Sequence, residues 1–406
     1  MKKYQVLLIC FFTPCTIAMG QIPISLKAAI DTALKNNLQV KNERLNAEYQ
    51  KKLKATAINL PQTSVIGEYG QINSAYNDTK FGISQSVSLP TVYVKQKSLQ
   101  NETYKSSVLM IAVKESELIK QLSEAFYFLV SLQQKQKILL QNDSVYAIFL
   151  EKANLRFSKG ETNVLEKTIA ETQRGQISIQ LNQLKSDLEV LQLEFQLLLN
   201  TTTFFLPTIE NPKMVLEVMQ DTLSIRSHPQ LKILEQQQKI SLANTQLERA
   251  RLLPDLTIGY NNQSIRGAGA DNVLYPKSTR FSSAHIGLSI PLFFGSQRAK
   301  VNSSKAMQLI SANNYQHGLQ SFKAKYNKAF RQYRAQLQTV KYFEETALKN
   351  AETIKTSASQ QFANGDINYL EWTMLLNNAT IIQNNYIEAI KDLNQSIIQL
   401  NFLTSK

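Results

Sequence analysis

The sequence predicts a mainly α-helical protein with a small antiparallel β part, built as two tandem copies of one long helical hairpin unit. Three observations carry this. The ten residues FSKGETNVLE at 157–166 recur as FANGDINYLE at 362–371, with Phe, Gly, an acid, Asn, Leu and Glu in register 205 positions apart. Earlier matches keep the same order: NNLQVK at 36–41 against SHPQLK at 227–232, Ala57 with Leu60-Pro61 against Ala250 with Leu253-Pro254, and Ser88-Leu89-Pro90 against Ser289-Ile290-Pro291. Their spacing drifts from 191 through 193 and 201 to 205, as loop insertions between two copies of one unit would make it. Helix-period and strand-period segments also alternate in the same order in both halves. Each unit reads helix, strand, strand, long helix, tight turn, long helix. The implied division is a leader at 1–20, a first repeat at 21–206, an inter-repeat linker at 207–222 and a second repeat at 223–406.

Lys2 and Lys3 precede an apolar run at 6–12, and Ala18-Met19-Gly20 before Gln21 has the small-residue character of a cleavage site, which reads as a secretory signal peptide. The run is far short of the roughly 20 residues that a membrane-spanning helix needs. Cys10 and Cys15 both lie in this segment, and neither follows the Leu-x-Gly/Ala pattern that precedes a lipid-modified cysteine. The mature chain is therefore expected to carry no thiol chemistry, disulfide or lipid anchor. Loss of the two lysines takes the formal net charge from +14 to +12. These charges are scattered singly along helices, and an exported chain rarely meets nucleic acid, so a nucleic-acid partner is not expected. No later stretch approaches a transmembrane helix; entry into a membrane would have to use strands.

The strands have a period of two. Phe81, Ile83, Val87 and Leu89 alternate with Gly82, Ser84, Ser86 and Ser88, interrupted only by Gln85. In the second copy Ala284, Ile286, Leu288 and Ile290 alternate with Ser283, His285, Gly287 and Ser289, and residues 256–260 repeat the pattern with Thr257 and Gly259. One greasy face and one small polar face over about 9–11 residues fits a tilted membrane-spanning strand, with Ser84, Ser86, Ser88, His285 and Ser289 toward a wet lumen. A half-buried soluble sheet shows the same alternation. Leu60-Pro61 and Leu253-Pro254 close helices before strands, and Pro90 and Pro291 close strands before helices, through the missing N–H and fixed φ of proline. Tyr69, Tyr93, Tyr260, Phe293 and Phe294 are expected at these junctions, where such rings suit headgroup depth. Residues 71–80 and 264–280, rich in Asn, Ser and Gly, are expected as exposed outer loops. Four strands cannot close a barrel, since bacterial examples begin at about eight. A spanning protein of this kind must oligomerise.

Long helices are expected from about Thr91 to Phe157 and from about Ser296 to Phe362, each about 66 residues and so roughly 100 Å long at ~1.5 Å per residue. Leu109, Val113, Leu118, Leu122, Phe126 and Leu129 supply a narrow apolar seam, as in coiled-coil packing. At each hairpin tip the helix pattern stops at Gly160 or Gly365 and restarts at once, as at a left-handed C-terminal stop. Asn163 and Asn368 are placed to cap the next helix. An enzyme is not expected. His228, His285 and His317 lie in different elements with no metal-spaced partner, phosphate loop or nucleophile motif, so neither a metal nor another cofactor is implied. His228, just before Pro229, reads as a cap or surface residue.

The order of elements, the duplication, the Leu-Pro step before each first strand, the Pro90 and Ser-Ile-Pro-Leu-Phe exits and the F-x-x-G-x-x-x-x-L-E tips resemble the TolC family of outer-membrane efflux ducts over essentially the whole mature chain. Residues 68–94, containing GQINSAYNDTKFGISQSVSLPTVY, are further similar to outer-membrane factors of heavy-metal RND efflux systems. The resemblance implies a homotrimer in the outer membrane of a Gram-negative bacterium. Twelve strands would form a lipid-embedded transmembrane β-barrel, continued across the periplasm by an α-helical barrel. It would be the passive duct of a tripartite system with a periplasmic adaptor (membrane fusion) protein and an inner-membrane RND-type pump. The resemblance assigns Phe157, Gly160, Glu161, Phe362, Gly365 and Asp366 to adaptor-docking tips, and Glu166, Tyr369, Glu371 and Trp372 to the periplasmic entrance. Glu371 matches a position that is acidic in family members, and carboxylates there would draw cations in. Ile367 stands where some members have an arginine that latches the closed entrance, so packing of Tyr369 and Trp372 would take the place of a salt-bridge latch. Drug efflux or type I secretion stays open as the task of the duct. So does, outside the family, a structural periplasmic coiled-coil protein.

Overall fold

The computed structural model describes residues 22–72, 74–161, 163–216 and 224–404. The expected leader and residues 217–222 of the expected linker lie outside them. In chain order the elements are β1 (Ile22–Ile24), α1 (Leu26–Asn36), α2 (Leu38–Leu53), a 3-10 turn (Lys54–Ala57), β2 (Ser64–Gly70), β3 (Asp78–Ser88), α3 (Pro90–Ser158), α4 (Val164–Leu199) and β4 (Phe205–Pro207). A 3-10 turn (Ser224–Ser227), α5 (Pro229–Ala250), β5 (Asp255–Ser264), β6 (Gly267–Ala268), β7 (Leu274–Tyr275), β8 (Arg280–Ser289), α6 (Gly295–Tyr342), a π turn (Phe343–Ala347), α7 (Leu348–Asn364) and α8 (Tyr369–Leu403) follow. The structure is mainly helical with small sheets, in the element order expected of the two copies. The described residues form two compact units, one of 22–37, 118–215 and 332–398, the other of 38–117, 224–331 and 399–404, so each unit draws on both repeats.

In the first unit β1 and β4 pair in parallel. Ser25 caps α1 through its Ala28 N–H. Asn200 closes α4 in the left-handed region (φ 49°), and its Nδ2 donates to Asn36 O at 3.1 Å. The expected seam is buried here: Leu122 and Phe126 are fully covered, Leu118 and Leu129 nearly so, and Phe195 of α4 faces Phe126 at 6.4 Å. Burying such side chains stabilises by about 1.5–3 kcal/mol each, which is why a narrow stripe suffices to pair long helices. The second long helix is not continuous as expected. Its π turn sets the Glu344 carboxylate to accept from Lys213 Nζ at 2.7 and 2.9 Å and from the Tyr386 hydroxyl at 3.1 Å. Beside it, Asn394 donates to Pro212 O at 2.7 Å and accepts from Met214 N at 2.8 Å. These bonds strap residues 212–214 to α8.

The second unit holds an antiparallel sheet of order β2-β3-β5-β8. Beside it, α5 packs through Leu231, Ala243, Leu247 and Ala250, with a buried Ser241–Ser311 hydroxyl pair at 2.8 Å. Val92 joins Leu247 and Ala250 in a small core under the start of α3. Two expectations change. His228 caps α5 as foreseen, yet it is fully buried rather than a surface residue, because its ring fills a gap between Phe322 and Phe402. The segment 264–280 is not a plain exposed loop: β6 and β7 pair within it, and Ser264 and Asp78 are fully buried. Asp78 accepts from Ser264 Oγ and Arg266 N, both at 2.9 Å, and from Ser74 Oγ at 3.2 Å. That satisfied carboxylate ties the two connections together.

Candidate functional site: the hairpin tips and the two-faced sheet

Both tips use one wiring. Gly160 (φ 73°) and Gly365 (φ 84°) occupy the left-handed region. Gly160 N donates to Phe157 O at 3.0 Å and Glu161 N to Arg156 O at 2.9 Å; Gly365 N donates to Phe362 O at 3.2 Å and Asp366 N to Gln361 O at 2.8 Å. This is the paired bonding of a Schellman stop, which satisfies the last carbonyls of each incoming helix. Asn163 then accepts from Glu166 N at 3.1 Å, and Asn368 accepts from Glu371 N at 3.0 Å. Glu371 Oε2 reciprocates by accepting from Asn368 N at 3.0 Å, a complete capping box. Most of the repeated motif is thus explained by backbone demands. Nothing lies within 4 Å of a Cβ built on either glycine, so both turns face open space.

The side chains at the two tips are not equivalent. Phe157 is 41 % exposed, with Lys167 Nζ 5.4 Å from its ring. Phe362 instead packs on Trp372 at 5.1 Å and Phe149 at 5.7 Å. Tyr369 stacks on Phe149 at 3.7 Å with 8° between the planes, and Tyr146 meets Trp372 edge-on at 6.1 Å. Tyr369 and Trp372 are buried inside this five-ring cluster. They hold α3 and α8 together within one chain. Burial raises the Tyr369 phenol, and burial first, then the neighbouring Tyr369, pushes Tyr146 up to about 12. Glu166 Oε1 accepts from Arg156 Nη1 at 3.1 Å. Glu161, Asp366 and Glu371 remain exposed acids at the turns.

The sheet register brings the five polar strand positions onto one face. Ser84 pairs across to Gly259 and on to His285, Ser86 to Thr257 and Gly287, and Ser88 to Asp255 and Ser289. The other face runs Val65, Ile83, Tyr260, Ala284 and Val87, Leu256, Leu288 across the strands. It is uncovered: Val65 is 75 % and Ile286 78 % exposed. The His285 ring lies across Gly259, where an added Cβ would run into His285 Cε1, and Asn261 Nδ2 is 3.2 Å from His285 Nδ1. Of the aromatics expected at junctions, Tyr260 sits mid-strand and Tyr69 near the far end of β2, opposite Thr79; Phe293 and Phe294 do lie between β8 and α6. Among the described residues no group of three or more His, Cys, Asp or Glu is arranged to hold a metal, and no helix is long and apolar enough to cross a membrane. Asp78 and Glu344 had escaped the sequence reading, which offered only lone acids outside any repeated motif.

A two-faced sheet with one greasy side open, beside long paired helices, is an arrangement known in solved proteins. Residues 222–405 match the family model described as outer membrane efflux protein. No curated protein matches the chain. Among solved structures, a membrane protein from Pseudomonas aeruginosa is similar at TM-score 0.80 and 14 % identity, covering 95 % of this chain and 91 % of that one. CusC, described in connection with folding and transmembrane channel formation, is similar at TM-score 0.78 and 14 % identity, over 95 % of this chain and 93 % of its own. The CmeC outer membrane channel of Campylobacter jejuni is similar at TM-score 0.78 and 14 % identity, over 93 % and 85 %. At such identities the likeness shows fold, and the fold is that of outer-membrane channels.

Proposed function

We propose that the chain is the protomer of a trimeric outer-membrane efflux channel, the passive duct of a tripartite system with a periplasmic adaptor and an inner-membrane RND-type pump. One observation carries the reading: the four-stranded sheet has one uncovered, largely apolar face and one face of small polar residues, and four strands are too few to close on themselves. Three copies supply twelve strands and remove every open edge. The family match over the second repeat and the channel fold over the whole length support the same reading. Ser84, Ser86, Ser88, His285 and Ser289 then line the barrel. The open, glycine-containing turns with Phe157, Glu161 and Asp366 face the adaptor; Glu371, at a helix start, contributes negative potential at the entrance. Transport of heavy-metal cations is the narrower reading, supported by the resemblance of residues 68–94.

Heat-modifiable trimers in isolated outer membranes test the assembly, and a soluble periplasmic fraction would sink it. The docking role is tested by replacing Gly160 and Gly365 together with tryptophan. Efflux should fail while trimers persist in the membrane; normal efflux by that variant would count against docking. Deletion followed by a sensitivity panel of copper, zinc, cobalt and hydrophobic drugs distinguishes metal cargo from drug cargo.

A further inference from the structure

The edge of the sheet where strands meet helices differs between the two copies. In the first, β3 ends at Ser88 and α3 starts at Pro90; Val92 is buried and the Tyr93 hydroxyl accepts from Ser88 N at 3.2 Å. In the second, residues 290–294 separate β8 from α6. The offset between copies is 201 at Pro90 and Pro291 but 205 from the helix starts, Pro90 and Gly295, to the tips, so four residues have been added at this one place. What was added is apolar and uncovered, with Leu292 78 % and Phe293 90 % exposed. Ile290 continues the exposed alternation of Ile286 and Leu288, which makes the added loop the end of the greasy face.

The helix that follows has no acid. α6 carries nine basic residues and neither Asp nor Glu in 48 positions. Its start presents Arg298, Lys300 and Lys305, all exposed, with the Arg298 guanidinium 5.9 Å from the Phe294 ring. The junction before β2 also sets exposed lysines, Lys51 and the Glu48-paired Lys52, ahead of exposed Ile58 and Leu60. At the opposite end of the sheet acids stand among the cations: Lys80 Nζ reaches Glu68 at 3.4 Å and Asp78 is buried among donors, while Arg266, Lys277 and Arg280 lie over the rings of Tyr76, Tyr69 and Phe81.

Uncovered aromatic and aliphatic side chains directly beside Arg298, Lys300 and Lys305, which have no acid partner among the described residues, suit one kind of surface, the boundary between hydrocarbon and anionic headgroups. We propose that this junction rim binds anionic phospholipid in the periplasm-facing leaflet. Leu292 and Phe293 enter the acyl boundary while Arg298, Lys300 and Lys305 meet the phosphates. The proposal rests on the membrane-channel reading above. A basic residue close to an anionic surface is worth about fivefold in partition, so three of them give a clear selectivity for phosphatidylglycerol over phosphatidylethanolamine.

The test is native mass spectrometry of the detergent-purified protein titrated with phosphatidylglycerol or phosphatidylethanolamine. The wild type should retain phosphatidylglycerol preferentially, with the preference shrinking as salt is raised. R298Q/K300Q/K305Q should lose on the order of tenfold or more of that preference, R298K/K300R/K305R should keep it, and L292S/F293S should weaken retention of both lipids. Heat-modifiable trimers of each variant control for folding. Equal retention of the two lipids by the wild type, an unchanged preference in the glutamine variant, or displacement of the lipid by millimolar inorganic phosphate overturns the proposal. A membrane-integral wild type without lipid preference sinks only this inference, whereas a soluble wild type sinks the channel reading itself.

Discussion

His228 allows the packing at the start of α5 to be tested by pH. The ring is fully buried, accepts from Gln230 N at 3.1 Å through Nδ1, and lies 4.7 Å from the Phe322 ring and 4.9 Å from that of Phe402. Burial pushes its pKa from 6.5 down to about 4; a backbone hydrogen bond at Phe402 and the charge of Glu117 oppose this, and Lys325 adds to it. Between the two values the unfolded chain holds a proton that the folded chain does not. Stability therefore falls as pH falls, from near 6.5 until the loss is complete below about 4. The whole effect is about 3 kcal/mol, of which about 2 kcal/mol is spent by pH 5, at ~1.4 kcal/mol per pH unit. Carboxylates with ordinary values change little in that upper range. The assay is the urea midpoint of the detergent-solubilised protein at about pH 7.5 and about pH 5. His228→Asn keeps a capping side chain and removes the titration, so it should start less stable and stay nearly level. An Asn variant that loses as much stability as the wild type over this interval would refute the assignment.

Three further outcomes separate neighbouring roles. Phe362→Ala removes a ring from the aromatic cluster and should destabilise the hairpin by on the order of 2 kcal/mol, whereas Phe157→Ala should stay within about 0.5 kcal/mol yet weaken adaptor capture; hydrogen exchange at the tips and adaptor pull-down read the two effects. Glu344→Gln should cost about 1 kcal/mol, because the Lys213 pair is only part-shielded; faster tryptic cleavage after Lys213 would reveal the loosened strap. Gly259→Ala must push the His285 ring aside and should cost about 1 kcal/mol or more, but markedly less in a His285→Ser background. Equal costs in both backgrounds would show that the ring and the glycine are uncoupled.

The elements set by period and by proline or glycine were legible in the sequence. The seam from Leu118 to Leu129 and the serine face of β3 needed only alternation and helix spacing, because each residue there answers to one nearby surface. The tips were legible for the same reason, as Gly160, Gly365, Asn163 and Asn368 act on backbone groups within five residues. What escaped depends on distant partners. The burial of Tyr369 and Trp372 depends on Phe149, more than 200 positions earlier. Asp78 finds Ser264 and Arg266 across the sheet. The buried state of His228 depends on Phe322 and Phe402, which no local pattern announces.

The π turn gives the two arms unequal phase. Between the helix starts and the tips the copies match residue for residue, yet one arm takes an extra residue into a single wide turn, which offsets what precedes it by about 100°. Beyond the turn the copies agree, since Ala153 and Ala358, and Tyr146 and Ala351, are buried alike. Before it they disagree: Leu122, Phe126 and Leu129 are buried, while Asn327, Arg331 and Arg334 at the same copy positions are exposed. In the trimer proposed above, six near-identical arms would have sixfold symmetry, and this pitch defect would lower it to threefold in the stretch before the turn. In that stretch neighbouring arms would present two alternating kinds of surface.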